Sequence, residues 1–177
     1  MTRSPSPRDG LHHLVEAIGN LPVVAHDRHL TVIDSNALAR ALTPFFEVGV
    51  NLARSAFLDE SVGHGEPTWP ALAEDIGAGF RLSLDRHEAD DEFRSVIGEL
   101  AAQSRSFSEV FARDSSSVRG SGAWTFRPGD GPPITLVFHR LPVPGDEHDT
   151  LLVWRAADAA SERGLAALAA GAARASD

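Results

Sequence analysis

The chain has 177 residues, enough for one ordinary domain that closes its own core. Its 16 basic residues, all arginine, face 25 acidic ones, and a formal charge of −9 argues against direct capture of nucleic acid or an anionic membrane. The absence of cysteine excludes disulfides, thiolate metal sites and cysteine nucleophiles. No apolar run approaches the roughly 18 residues of a bilayer span or the core of a signal peptide, so a cytoplasmic protein is expected.

Residues 1–8 contain two Ser-Pro steps and read as a disordered lead; the domain proper is expected over 9–158, with a C-terminal helix and tail over 159–177. Asp9 can cap a helix carrying Leu11, Leu14, Val15 and Ile18 at helical spacing, and Gly19 supplies a stop. The run PVVAHDRHLTVID predicts a hairpin with its polar turn at Asp27 and Arg28. Asp34 or Ser35 can then cap a short helix through NALARAL, which Pro44 ends. Thr68, ahead of Trp69 and Pro70, opens an amphipathic helix bearing Trp69, Leu72, Ile76, Phe80 and Leu84. A second helix follows the acidic cluster Asp90, Asp91, Glu92 and buries Phe93, Val96, Ile97 and Leu100. A third, shorter one buries Phe107, Val110 and Phe111.

After the loop DSSSVRGSG the period changes from 3.6 to 2. AWTFR, ITLVFHRL and TLLVWRA become three strands of an antiparallel meander, and an alanine-rich helix follows from Ala159. Two early and three late strands predict an α+β fold in which a five-stranded antiparallel sheet carries helices on one face around a ligand cavity.

Familiar catalytic patterns are missing. His26 and His29 form an H-x-x-H, but they flank a turn, and His87-Glu88 fails as H-E-x-x-H because position 91 is Asp; no metal site is expected. Ser121 lies in a loop entering a strand, away from any strand-to-helix elbow. Gly63 and Gly65 lack the third glycine and the lysine of a phosphate cradle, so no cofactor is expected. The remaining signal is aromatic: Trp124 and Phe126 alternate on one face of a strand, and Leu136 and Phe138 on the next.

The segments LPVVAHDRHLTVIDSNALARAL, NLARSAFLD, the proline-flanked tryptophan, FRSVIGELAAQSRSF and the glycine-led meander, in that order from Leu11 to Leu168, resemble the MmyB-like transcription regulator ligand-binding domain. The resemblance implies a PAS-like α+β fold and a cavity for small apolar ligands, acyl or natural-product-like ones included. By position it places Asn36 and Arg40 in the family's NALAR helix, Asn51 and Arg54 in its NLAR segment, Trp69 at its helix opening, and Gly122 and Phe126 in its late strand. Such domains usually follow an Xre-type helix-turn-helix in actinobacterial regulators. Only ten residues precede Leu11 where a helix-turn-helix needs about 60, so DNA binding by this chain itself is not expected. The chain departs from the family around the meander, with Trp124 and Pro128 in place of a lysine and a histidine, and Phe111 and Asp114 where tryptophan and histidine are common.

Two functional classes follow. The first is a non-catalytic small-molecule sensor that forms a homodimer or pairs with a full-length regulator. Its ligand would be held by Asn36, Arg40, Arg54, Phe57, Phe93, Ile97, Trp124, Phe126, Phe138 and His139. The second is a cofactor-free cyclase, isomerase or dehydratase in the same cavity, with His139, Asp34 or Asp114 as acid or base. That version requires Trp124 and His139 to face the cavity. A third reading is a purely structural or dimerising remnant, whose cavity would hold no more than a few waters. Charge adds one expectation: residues 59–99 hold 11 acidic and 3 arginine residues, a net of −8, so an anionic ligand would approach from the Arg40 and Arg54 side.

Overall fold

The computed structural model describes residues 7–59, 67–86, 90–113, 119–143 and 146–175. Helix α1 (Pro7–Ala17) precedes the hairpin β1 (Val23–His26) and β2 (Val32–Ser35). Then come α2 (Ala37–Leu42), a 3-10 turn (Pro44–Phe46), α3 (Leu52–Leu58), α4 (Trp69–Arg86), α5 (Asp91–Gln103) and α6 (Arg105–Phe111). The meander β3 (Ser121–Phe126), β4 (Ile134–Val143) and β5 (Asp146–Ala156) leads into α7 (Ala159–Ala175). The five strands form one antiparallel sheet in the order β2-β1-β5-β4-β3, as the α+β reading requires.

The hairpin turn is set by Asp27, whose Oδ1 accepts from the backbone N–H of His29 and Thr31, an Asx turn that closes without glycine. The turn forces Leu30 to φ 65°, a left-handed conformation that a bulky residue rarely adopts. Asn51 caps α3 by accepting from Ala53 and Arg54, while its amide donates to the His29 carbonyl and to Thr31 Oγ1. One side chain therefore fastens α3 to the tip of the hairpin.

The cap of α2 differs from expectation. Asn36, with extended backbone, accepts from Ala39 N, whereas Asp34 and Ser35 remain at the end of β2. Asn36 also accepts from Val23 N and donates to the carbonyls of Ile18 and Leu21, so it joins the α1–β1 connection, β1 and α2 at one buried point. Helix α1 starts at Pro7, two residues ahead of Asp9, with proline in the first position where its missing N–H costs nothing. Thr68 supplies the carbonyl that accepts from Leu72 N at the head of α4, but its hydroxyl accepts from Thr125 N of β3.

Three apolar clusters hold these parts together. On one sheet face, Val24, Val32, Leu136, Phe138, Leu152 and Trp154 pack against α2, the 3-10 turn and α7. Leu165 of α7 is part of this core, and Gly164 lies close enough to Ile134 that a Cβ would stand 3.0 Å from it. Above that layer Phe57, Phe80, Phe93, Leu100 and Phe107 fill the space among α3, α4, α5 and α6. Helix α1 adds cover on the opposite sheet face, where Leu11 and Val15 bury Val23, Ala25 and Leu151. No helix among the described residues is long and apolar enough to cross a membrane.

Candidate ligand cavity

Alternation along the strands sends Trp124 and Phe126, Leu136 and Phe138, and Leu152 and Trp154 to the face beneath the helices. Phe138 lies directly across from Trp154, ring centroids 5.2 Å apart, and Phe126 meets the same indole edge-on at 5.2 Å. Phe46, from the 3-10 turn, closes the group at 5.6 Å from Phe126 and 5.7 Å from Trp154. Gly122 is needed at its place: a Cβ there would stand 2.8 Å from Phe138 Cε1 and 3.2 Å from Asp75 Oδ2. Its bare backbone lets Phe138 lie flat over β3.

Between this aromatic floor and the helices is a largely apolar, partly open cavity of about 60 Å³. Its roof comes from Leu52, Ser55 and Ala56 of α3 and Leu72, Asp75 and Ile76 of α4. This space alone has room for a few water molecules. Two wider clefts share its walls. One, of about 300 Å³, has His26, Leu30 and Arg140 in common with it; the other, of about 580 Å³, shares Thr43, Phe45, Trp124 and Phe126. Phe45 and Trp124 are half-buried and line both the cavity and the larger cleft, two aromatic walls between them.

Few polar groups reach this space. His26 is buried and donates Nδ1–H to the Asp27 carbonyl at 2.8 Å. Loss of solvent lowers its pKa to about 4, so the ring is neutral at pH 7 with Nε2 as an acceptor. Asp75, only 4% exposed, receives Arg119 Nε at 2.9 Å. Arg140 sits beside Phe138, its guanidinium carbon 6.0 Å from the ring centroid, and its Nε is buried with no hydrogen-bond partner among the described residues. Burial pushes its pKa down, and the charge of Asp75 opposes that shift. Trp154 Nε1 is likewise buried without a partner among them.

The residues expected from sequence to form the site separate into groups. Trp124, Phe126 and Phe138 line the cavity, and Arg40 lines the larger cleft, where it also donates to the Ser35 carbonyl. Asn36 is spent on capping, and Arg54 Nε is paired with Glu99 at 2.7 Å outside all three spaces. Phe57, Phe93 and Ile97 belong to the helical cluster: Phe57 packs on Trp69 and Phe107, Phe93 on Phe80, and none lines the cavity. His139 requires correction. It pairs with Ser121 and Val153 on the opposite sheet face, is exposed, and accepts from Arg155 Nε at 3.2 Å. Asp34 also lies away from the cavity, held by Ser35 N and by His12 Nδ1 at 3.0 Å. Asp114 lies outside the described residues. The enzyme reading thus has neither His139 nor Asp34 at the cavity.

Sequence reasoning weighed His26 only as part of a metal motif and passed over Arg140, Asp75, Thr43 and Ser55 as polar wall residues. For Arg140 and His139 strand alternation carries the information: if Leu136 and Phe138 point inward, period 2 puts residue 140 inward and residue 139 outward.

A PAS-like α+β domain with an apolar cavity between sheet and helices is the architecture of a small-molecule binding module. The chain matches the MmyB-like transcription regulator ligand binding domain over residues 7–168, and it belongs to that family. A comparison with curated proteins gives no match.

Proposed function

We propose that this domain is a non-catalytic sensor that takes a small apolar molecule into the aromatic cavity and passes the binding event to a partner protein in the cytoplasm. The observation that carries this reading is the cavity itself: an apolar space floored by Phe126, Phe138 and Trp154, with a buried indole N–H that has no acceptor among the described residues. Native interiors seldom leave such a donor unsatisfied, and a ligand acceptor atom would answer it.

A ligand larger than a few atoms needs the walls to give. Phe45 and Trp124 are the half-buried aromatic members, and Trp124 stands on β3, the edge strand that α4 overlies. Outward movement of Trp124 would shift β3 against α4 and alter the surface offered to a second copy of the domain or to a full-length regulator. A ligand changes that equilibrium only by its preference for one arrangement, so the coupling must run through the residues it displaces.

Native mass spectrometry of the protein purified from its own host tests the reading. A retained apolar adduct is expected, absent from a Ser55→Leu variant whose added side chain fills the roof of the cavity. A bare mass for both proteins, with no apolar compound from host extract altering either, would count against it.

A further inference from the structure

We propose that Arg140 is the anchor for an acidic group on the ligand, so that the site selects a compact aromatic carboxylate, with its ring on the Phe138–Trp154 floor and its carboxylate in the adjoining cleft. This inference rests on the reading of the cavity as a small-molecule site and specifies the chemistry of its occupant.

Arg140 is one of three residues, with His26 and Leu30, that line both the apolar cavity and the 300 Å³ cleft. It therefore stands where an amphiphilic molecule changes character. Other cations near that boundary are already engaged: Arg28 pairs with Asp90, and Arg119 is held by Asp75 Oδ1 and the Ala71 carbonyl. Two carboxylates line the cleft, Asp27 and Asp149, and Asp27 accepts from the His29 and Thr31 backbone. The side chain of Arg140 makes no hydrogen bond or ion pair with the described residues; its neighbours are the face of Phe138, the neutral ring of His26 and the charge of Asp75. A half-buried guanidinium whose buried Nε has no partner among the described residues is partly desolvated without compensation, and arginine's planar fork matches a carboxylate two bonds at a time.

A second donor points the same way. Ser83 Oγ, from α4, is buried without a partner among the described residues, and Ser83 lines the same cleft. His26, by contrast, offers a neutral acceptor at Nε2, which suits a ligand hydroxyl and repels no anion. The apolar end is bounded by edge-to-face rings in a small volume, which favours one more aromatic ring over a long flexible chain.

Phenylacetate, its neutral analogue phenylacetamide, and decanoate serve as probes, titrated into the full chain by calorimetry. Phenylacetate is expected to bind roughly tenfold or more tightly than phenylacetamide, because a hydrogen bond to a charged group is lost in the amide. Arg140→Met should abolish that preference while leaving phenylacetamide binding within about twofold. It should also leave the unliganded melting temperature equal or higher, since a half-buried charge without an ion pair among the described residues is removed. If the amide binds as well as the acid, or Arg140→Met keeps the preference, or the variant melts well below the parent, the anchor role is overturned while the small-molecule reading stands. Tighter binding of decanoate than phenylacetate would overturn the compact aromatic class. Failure of all three probes to bind would overturn the proposal and weaken the sensor reading beneath it.

Discussion

Two neighbouring residues on β4 show how a binding surface is written in alternation. Phe138 and Arg140 face the helices and His139 faces outward, so the imidazole that draws attention in the sequence is exposed beside Arg155, and the unremarked arginine is half-buried with its Nε shut off from solvent. Residue type suggested His139; strand periodicity alone suggested Arg140. Gly122 is the complementary case, since its importance lies in what it lacks. Gly122→Ala would drive a Cβ to 2.8 Å from a Phe138 ring that is itself wedged against Trp154. Overpacking of this kind costs about 1–3 kcal/mol, and chemical denaturation should show that loss together with an altered near-ultraviolet signal from the displaced rings. An unchanged midpoint and spectrum would mean that β3 can retreat freely.

At the scale of elements, the strands and the long helices were legible because apolar spacing is a local property. The expected face of α4 is an example: Ile76 and Phe80 are buried, and Trp69, Leu72 and Leu84 pack partly buried against the same cluster. What spacing could not show was which apolar face meets which. Phe57, Phe93 and Ile97 close a second, helical core instead of facing the sheet, and their helices bury them against Phe80, Phe107 and each other's neighbours. Caps were similarly ambiguous where Asp34, Ser35 and Asn36 stand in a row. The structure gives Asn36 four hydrogen bonds across the α1–β1 connection, β1 and α2, which predicts that Asn36→Ala is far worse than loss of an ordinary cap. A cap is worth about 1 kcal/mol, and the buried Val23 N–H and two carbonyls left behind add to that, for a total of roughly 2–4 kcal/mol. Asn36→Asp, which keeps the acceptor but not the amide donors to Ile18 and Leu21, should also destabilise. Urea midpoints of the two variants test this, and an aspartate variant as stable as the parent would show that the cap alone matters.

Across the whole molecule, charge and burial divide the labour. Glu74, Asp85, Asp91 and Glu92 lie on the exposed side of α4 and α5, while Asp75 turns inward to hold Arg119, so among the described residues most of the acidic charge of α4 and α5 faces outward. The buried His26 makes stability depend on pH. Its folded pKa of about 4 lies below the ordinary 6.5, so the folded state takes up fewer protons than the unfolded one between these values. Its contribution is fully present above about pH 6.5 and declines as pH falls toward 4, by on the order of 3 kcal/mol. A His26→Gln variant should lose that part of the acid sensitivity in thermal melts across the range, and an identical slope in both proteins would assign the sensitivity to other groups. The central claim is that the aromatic cavity opens to admit a small apolar molecule. Trp124 and Trp154 line it and Trp69 does not, so tryptophan emission of a Trp69→Phe protein reports on the cavity walls. Titration of that protein with toluene should give a saturable emission change that Ser55→Leu abolishes; no saturable change, or the same change in the filled variant, would contradict the account.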